Sequence, residues 1–97
     1  MDAPLTIVLS GIGGMGGVYV AELLDHAGNG TFRIVGAADP EPGRCPRLAE
    51  LEALGVPIVP SLEEFYAGAT ADLAVLSSPI QFHAPQAVLA LSRGSHV

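Results

Sequence analysis

Gly11, Gly13, Gly16 and Asp39 are the residues whose types and spacing point to chemistry. The three glycines stand at G-x-G-x-x-G, with Ile12, Gly14 and Met15 completing the run G-I-G-G-M-G. A strand that ends on such a turn and passes straight into a helix presents free backbone N–H groups, at the positive end of the helix dipole, to an anion. Gly11 allows the tight exit from the strand. A missing side chain at Gly13 lets a pyrophosphate approach the backbone, and one at Gly16 lets the helix pack closely on the strand. Asp39 follows about 20 residues further on, where a dinucleotide fingerprint places its acid. A carboxylate there accepts hydrogen bonds from a ribose diol and repels a 2′-phosphate, so NAD is expected ahead of NADP. The chemistry is recognition of phosphate and sugar, not covalent catalysis.

A second group lies near the same predicted edge. Pro40 closes the second strand, and Arg44 can reach an adenine or a 2′-phosphate, or stand as a solvated charge at a helix start. Ser77, Ser78 and Pro79 end the fourth strand, where hydroxyls and backbone can hold ribose or pyrophosphate oxygens; one serine can equally cap the next helix. His83 falls in the first turn of that helix. The four basic residues are all arginines. Lacking any lysine, the chain can supply no Schiff-base, P-loop or general-acid lysine. Cys45 is the only cysteine, and nothing around it has the spacing of a metal site. No catalytic residue and no metal ligand is assigned.

These residues need elements to hold them. Leu5–Ser10 reads as a β-branched strand, followed by a helix over about 14–27 whose Val20, Leu23, Leu24 and Ala27 share one face. Gly28-Asn29-Gly30 ends it, and Met1 to Pro4 form a short lead-in. Phe32–Ala38 reads as a strand buried on both faces, stopped by Asp39-Pro40. A helix is expected over about 44–54, with Leu48, Leu51 and Leu54 recurring at threes and Cys45 half-buried. A short strand at 56–59 follows, crowded by prolines. Ser61-Leu62-Glu63-Glu64 is a capping box opening a brief helix to about 67. A strand at 73–76 precedes a helix over about 82–92, with Ala84, Ala87, Val88 and Leu91 inward and Gly94 at its end. Ser95-His96-Val97 reads as a fifth strand just begun. The alternation implies a parallel sheet, order 3-2-1-4, with helices on both faces. The expected fold class is α/β, a Rossmann-like doubly wound parallel sheet truncated within or just before its fifth strand. Ligands of such sheets bind beyond the carboxyl ends of the strands.

Residues 1–97 make one small dinucleotide-binding domain. A net charge of −6 argues against nucleic acid as a partner, since phosphates demand a basic surface. The chain shows neither a secretory signal nor an apolar run long enough for a membrane span, so a cytoplasmic location is expected.

Four stretches together resemble the N-terminal part of the glucose-fructose oxidoreductase, inositol dehydrogenase and rhizopine-catabolism (Gfo/Idh/MocA) family. They are G-I-G-G-M-G at 11–16, G-A-A-D-P at 36–40, V-P-S-L-E-E-F at 59–65 and S-S-P-I-Q-F-H at 77–83. Family members commonly carry Thr/Ser-Pro-Asn-x-x-His at the last place; here Pro79 and His83 match with one residue shifted, and Ile80 stands where asparagine is usual. The resemblance implies a parent oxidoreductase that moves a hydride between the nicotinamide of NAD(P) and a sugar- or polyol-like hydroxyl substrate. It also implies a second, substrate-closing domain, a Glu-Lys-Pro motif with the catalytic lysine, and a homo-oligomeric parent. This chain stops before that motif and is expected to be inactive alone. Two other readings share the same motifs: a non-enzymatic dinucleotide-binding or redox-sensing module, and the cofactor domain of another class, such as homoserine dehydrogenase or dihydrodipicolinate reductase.

Overall fold

A computed structural model describes residues 4–26, 30–77 and 80–97. Four strands, β1 (Leu5–Ser10), β2 (Phe32–Ala38), β3 (Ile58–Val59) and β4 (Leu73–Leu76), form one sheet in the order β3-β2-β1-β4. Every pairing is parallel. The helices are α1 (Met15–Asp25), α2 (Leu48–Ala53), α3 (Leu62–Gly68) and α4 (His83–Ser92). His96 makes a parallel bridge to Leu73, so chain is laid down beyond β4 as expected. Gly28, Asn29, Met1 to Ala3, Ala27, Ser78 and Pro79 lie outside the described residues.

The sheet is buried on both faces because successive β1 side chains enter opposite cores. Ile7, Leu9 and Ile12 pack with Val20 of α1 and Leu51 of α2. Val8 packs on the other side with Leu62, Phe65 and Tyr66 of α3 and Ala90 of α4. The Tyr66 hydroxyl donates to Ser95 Oγ at 2.6 Å, and Ser95 Oγ donates to the Ala71 carbonyl at 2.6 Å. This buried relay ties the C-terminal segment to α3.

Three local expectations are corrected. The helix expected over 44–54 begins only at Leu48. Pro42–Arg44 is instead a 3-10 turn, and Cys45, before Pro46, is extended with ψ 121°. A residue preceding proline is pushed out of the helical region, and proline has no N–H to join a helix. Cys45 is consequently a buried connector residue and not a helical one. In α4 the buried residue is Ala90, with Leu89 packed beside it, while Val88 and Leu91 are exposed. Apolar residues surround much of that helix, so periodicity alone did not choose its face; Ala84 of the expected stripe is exposed as well. The helix of 62–68 keeps its predicted start, with Ser61 Oγ accepting from the Glu64 amide at 3.2 Å.

An ion-pair network and a hydrogen-bonded carboxylate brace the fold away from the glycine turn. Arg47 joins α2 to α1 through Glu50 at 2.7 Å and Asp25 at 2.9 Å. At the amino ends of β1 and β4, Asp72 Oδ2 accepts from the Thr6 amide at 2.8 Å and its hydroxyl at 2.9 Å. Hydrogen bonds from the Thr6 amide and then its hydroxyl hold the Asp72 carboxyl below the usual aspartate value. A depressed folded-state pKa stabilises above the unfolded value near pH 4, and that contribution is lost as pH falls through the folded one. Wild type should therefore melt above Asp72→Asn at pH 7, with the gap narrowing as pH falls below about 4. Parallel thermal melts check it, and a gap that persists in acid would contradict the assignment.

Candidate functional site

The carboxyl ends of β1, β2 and β4 open into one cleft of about 790 Å³. Ser10, Gly11, Gly13 and Gly14 form its floor, Asp39, Pro40, Glu41 and Arg44 one wall, and Ser77 another. Pro60 to Glu63 at the start of α3 and Phe82, Pro85, Gln86 and Leu89 along α4 complete it. Three chain-distant segments thus meet as the sequence implies.

Backbone bonds fix the floor. Gly11 N–H donates to the Ala38 carbonyl at 2.8 Å, and Ser77 N–H donates to the Ser10 carbonyl at 2.7 Å. Gly14 caps α1 at φ 56°, a left-handed conformation that favours glycine, and no atom lies where its Cβ would be. Gly16 serves as predicted: a Cβ there would overlap the Gly11 carbonyl oxygen and lie 2.6 Å from its carbon. At Gly13 a Cβ would stand 3.2 Å from Arg44 Cβ, so the glycine turn and the Pro42–Arg44 turn lean on each other. The N–H groups of Gly16 and Gly17 bond the carbonyls of Gly13 and Gly14. Those of Gly13 and Gly14 find no acceptor among the described residues and remain available to an anion.

Asp39 does more than the sequence suggests. Its Oδ2 accepts from the Ile12 amide at 2.9 Å and its Oδ1 from the Glu41 amide at 2.7 Å. A carboxylate offers about four acceptor positions, so about two remain for a ribose diol. Ile12 contributes only this amide, its side chain being fully buried in the core. Arg44 is exposed, and its guanidinium stands 3.9 Å from Glu41, a solvated pair that leaves it available to the cleft. Ser77 Oγ is buried with no hydrogen-bond partner among the described residues. An orphaned hydroxyl in the wall, spare acceptors on Asp39 and free amides on the floor suit a phosphate–ribose ligand.

His83 is placed elsewhere. It borders a second hollow of about 390 Å³ with Tyr19, Ala87, Val97 and residues of β4. Ser78 and Pro79 lie outside the described residues. Sequence reasoning missed Glu41, Ser61, Glu63 and Gln86 as cleft residues; position beside Asp39 and at the start of α3 was the available signal. The described residues hold no cluster of three or more potential metal ligands and no helix long and apolar enough to cross a membrane.

A family profile described as "Oxidoreductase family, NAD-binding Rossmann fold" (GFO_IDH_MocA) matches residues 5–97. No protein of curated function matches the chain by sequence. Among solved structures, myo-inositol dehydrogenase from Corynebacterium glutamicum is 34% identical over 95% of the chain, with a TM-score of 0.75. The WlbA dehydrogenase from Chromobacterium violaceum, solved with NADH and UDP-GlcNAcA, is 25% identical over the whole chain, with a TM-score of 0.81. Scyllo-inositol dehydrogenase from Lactobacillus casei, solved with NAD(H) and scyllo-inositol, shares the fold at 22% identity over 97% of the chain, with a TM-score of 0.79. The chain spans only 26–27% of the length of these three proteins. With its glycine turn, its second-strand aspartate and its matched length, this chain belongs to the Gfo/Idh/MocA oxidoreductase family, in that family's NAD-binding Rossmann fold.

Proposed function

We propose that residues 1–97 bind NAD as the cofactor domain of an oxidoreductase acting on a sugar- or polyol-like hydroxyl. The observation that carries this is the convergence of free floor amides, Asp39 and the orphaned Ser77 hydroxyl on one cleft. When bound, the nicotinamide supplies the hydride chemistry; the chain binds and orients. Gly11, Gly13, Gly14 and Met15 hold the pyrophosphate through backbone amides, with Gly16 setting the helix against the turn. Asp39 takes the adenosine ribose, Pro40 and Arg44 border the adenosine, and Ser77 meets ribose or pyrophosphate, with Ser78 and Pro79 beside it in sequence. His83 stands outside this set because it borders the other hollow. The relatives' greater length supports a further domain that carries the catalytic lysine and the substrate. A cytoplasmic, homo-oligomeric parent that binds no nucleic acid fits the acidic composition and the family.

Charge decides the cofactor. Hydrogen bonds from ribose hydroxyls to an ionised carboxylate contribute roughly 1.5–3 kcal/mol each. A 2′-phosphate would forfeit them and face Asp39, with Glu41 and Glu63 also on the cleft. Arg44 opposes this from an exposed position. Titrating the chain with NADH and NADPH should show NADH bound at least about tenfold more tightly, a 1.4 kcal/mol difference, and no turnover of any polyol. Tighter NADPH binding would place the choice with Arg44, and binding of neither would end the dinucleotide reading.

A further inference from the structure

The Asp39 carboxylate is shared between two backbone amides before any ligand arrives. One belongs to Ile12, inside the glycine turn; the other belongs to Glu41, at the entry to the Pro42–Arg44 turn. Ile12 is pinned from the far side, its side chain fully buried among Leu9, Val20 and Leu51. Its N–H is therefore held between a rigid core and a charged acceptor. The two turns also touch, since the Cβ position of Gly13 lies 3.2 Å from Arg44 Cβ. Asp39 itself is anchored by its amide, which donates to the Val59 carbonyl at 2.9 Å.

We propose that Asp39 is a positioning residue for the phosphate-binding turn, acting through the Ile12 amide, and not only an acceptor for ribose. This rests on the dinucleotide reading above and adds to it. The carboxylate sets the glycine turn in place, so its loss weakens binding at the phosphates even when the ligand has no ribose hydroxyl to offer. A group that pushes Asp39 aside, such as a 2′-phosphate, disturbs the phosphate cradle as well as meeting like charge. Discrimination against it then has two sources, of which only one is repulsion.

The test compares wild type, Asp39→Ala and Asp39→Asn, using NADH and its 2′,3′-dideoxyadenosine analogue as probes. Amide chemical shifts and hydrogen exchange of the ligand-free chain are followed alongside. Asp39→Ala should bind the analogue at least about fivefold more weakly than wild type does, and its Ile12 amide should exchange about tenfold faster, a difference of about 1.4 kcal/mol. Asp39→Asn should recover part of both, because one carbonyl oxygen can still take the Ile12 N–H. If Asp39→Ala does not fold, Asp39→Asn carries the comparison with intermediate values. Analogue affinity unchanged while NADH affinity falls would reduce Asp39 to a ribose acceptor and overturn the proposal. If wild type binds neither probe, the dinucleotide reading fails alone, and exchange at Ile12 still decides whether Asp39 holds the turn.

Discussion

Gly16→Ala should lower the melting temperature by roughly 12–24 °C, the shift expected for a loss of about 3 kcal/mol in a domain of this size. The new methyl would overlap the carbonyl oxygen of Gly11 and stand 2.6 Å from its carbon. Both are backbone atoms, so no rotamer change relieves the contact. Nor can the turn retreat easily, because the Gly11 amide is bonded to Ala38 and the Ser10 carbonyl to Ser77. Either α1 moves off the sheet or the glycine turn opens. Gly43→Ala is the control: no atom lies within 4 Å of its Cβ position, and its φ is not positive. That variant should melt with the wild type. Should Gly16→Ala melt with it too, the close helix–strand approach is not present in solution.

Gly13→Val should act on binding far more than on folding. Gly13 lines the cleft floor and its φ is not positive, so the backbone accepts a side chain. Its Cβ would press on Arg44 Cβ at 3.2 Å, but the Pro42–Arg44 turn is largely exposed and can give. The stability cost should be about 1 kcal/mol. The branched side chain, in contrast, occupies the space a pyrophosphate needs, and NADH affinity should fall at least about tenfold. Paired melts and titrations separate the two effects. NADH binding equal to wild type would show that the phosphates do not lie over Gly13.

Where local chemistry alone dictates structure, the sequence was legible. Leu5–Ser10, Phe32–Ala38 and Leu73–Leu76 are strands at the expected residues, and the glycine turn, the Ser61 cap and the parallel order all follow. Its legibility ended where two local signals compete or a partner distant in the chain decides. Leucines at threes suggested a helix through Cys45 and Pro46, yet the proline geometry prevailed until Leu48. The inward face of α4 turns on Ala90 and its packing with Val8, Leu62, Phe65 and Tyr66, a tertiary fact that the helix's own pattern does not contain. The same holds at the site. Asp39 was readable as a ribose acceptor from its spacing, but its bonds to Ile12 and Glu41 depend on how the turns meet in space. His83 lines the hollow beside β4 and Val97, while Phe82, Pro85 and Gln86 of the same segment line the glycine-turn cleft, a division between helix sides that sequence adjacency does not contain.

The brevity of β3 makes the sheet's two borders unequal. Exposed strand edges invite pairing with other chains, and natural sheets guard against it with short edge strands and proline. On this border the carbonyls of Pro57 and Val59 are already turned toward β2, where they accept from Ala37 and Asp39. By the alternation of a strand, Ile58 and Pro60 turn outward, and Pro60 has no N–H to donate. An incoming strand would find a single donor there, at Ile58. The β4 border carries no such guard and already holds the His96 bridge. The sheet is thus guarded against growth past β3, whereas on the other side β4 offers its outer groups to the His96 segment, a built-in direction that guards against self-association along one border.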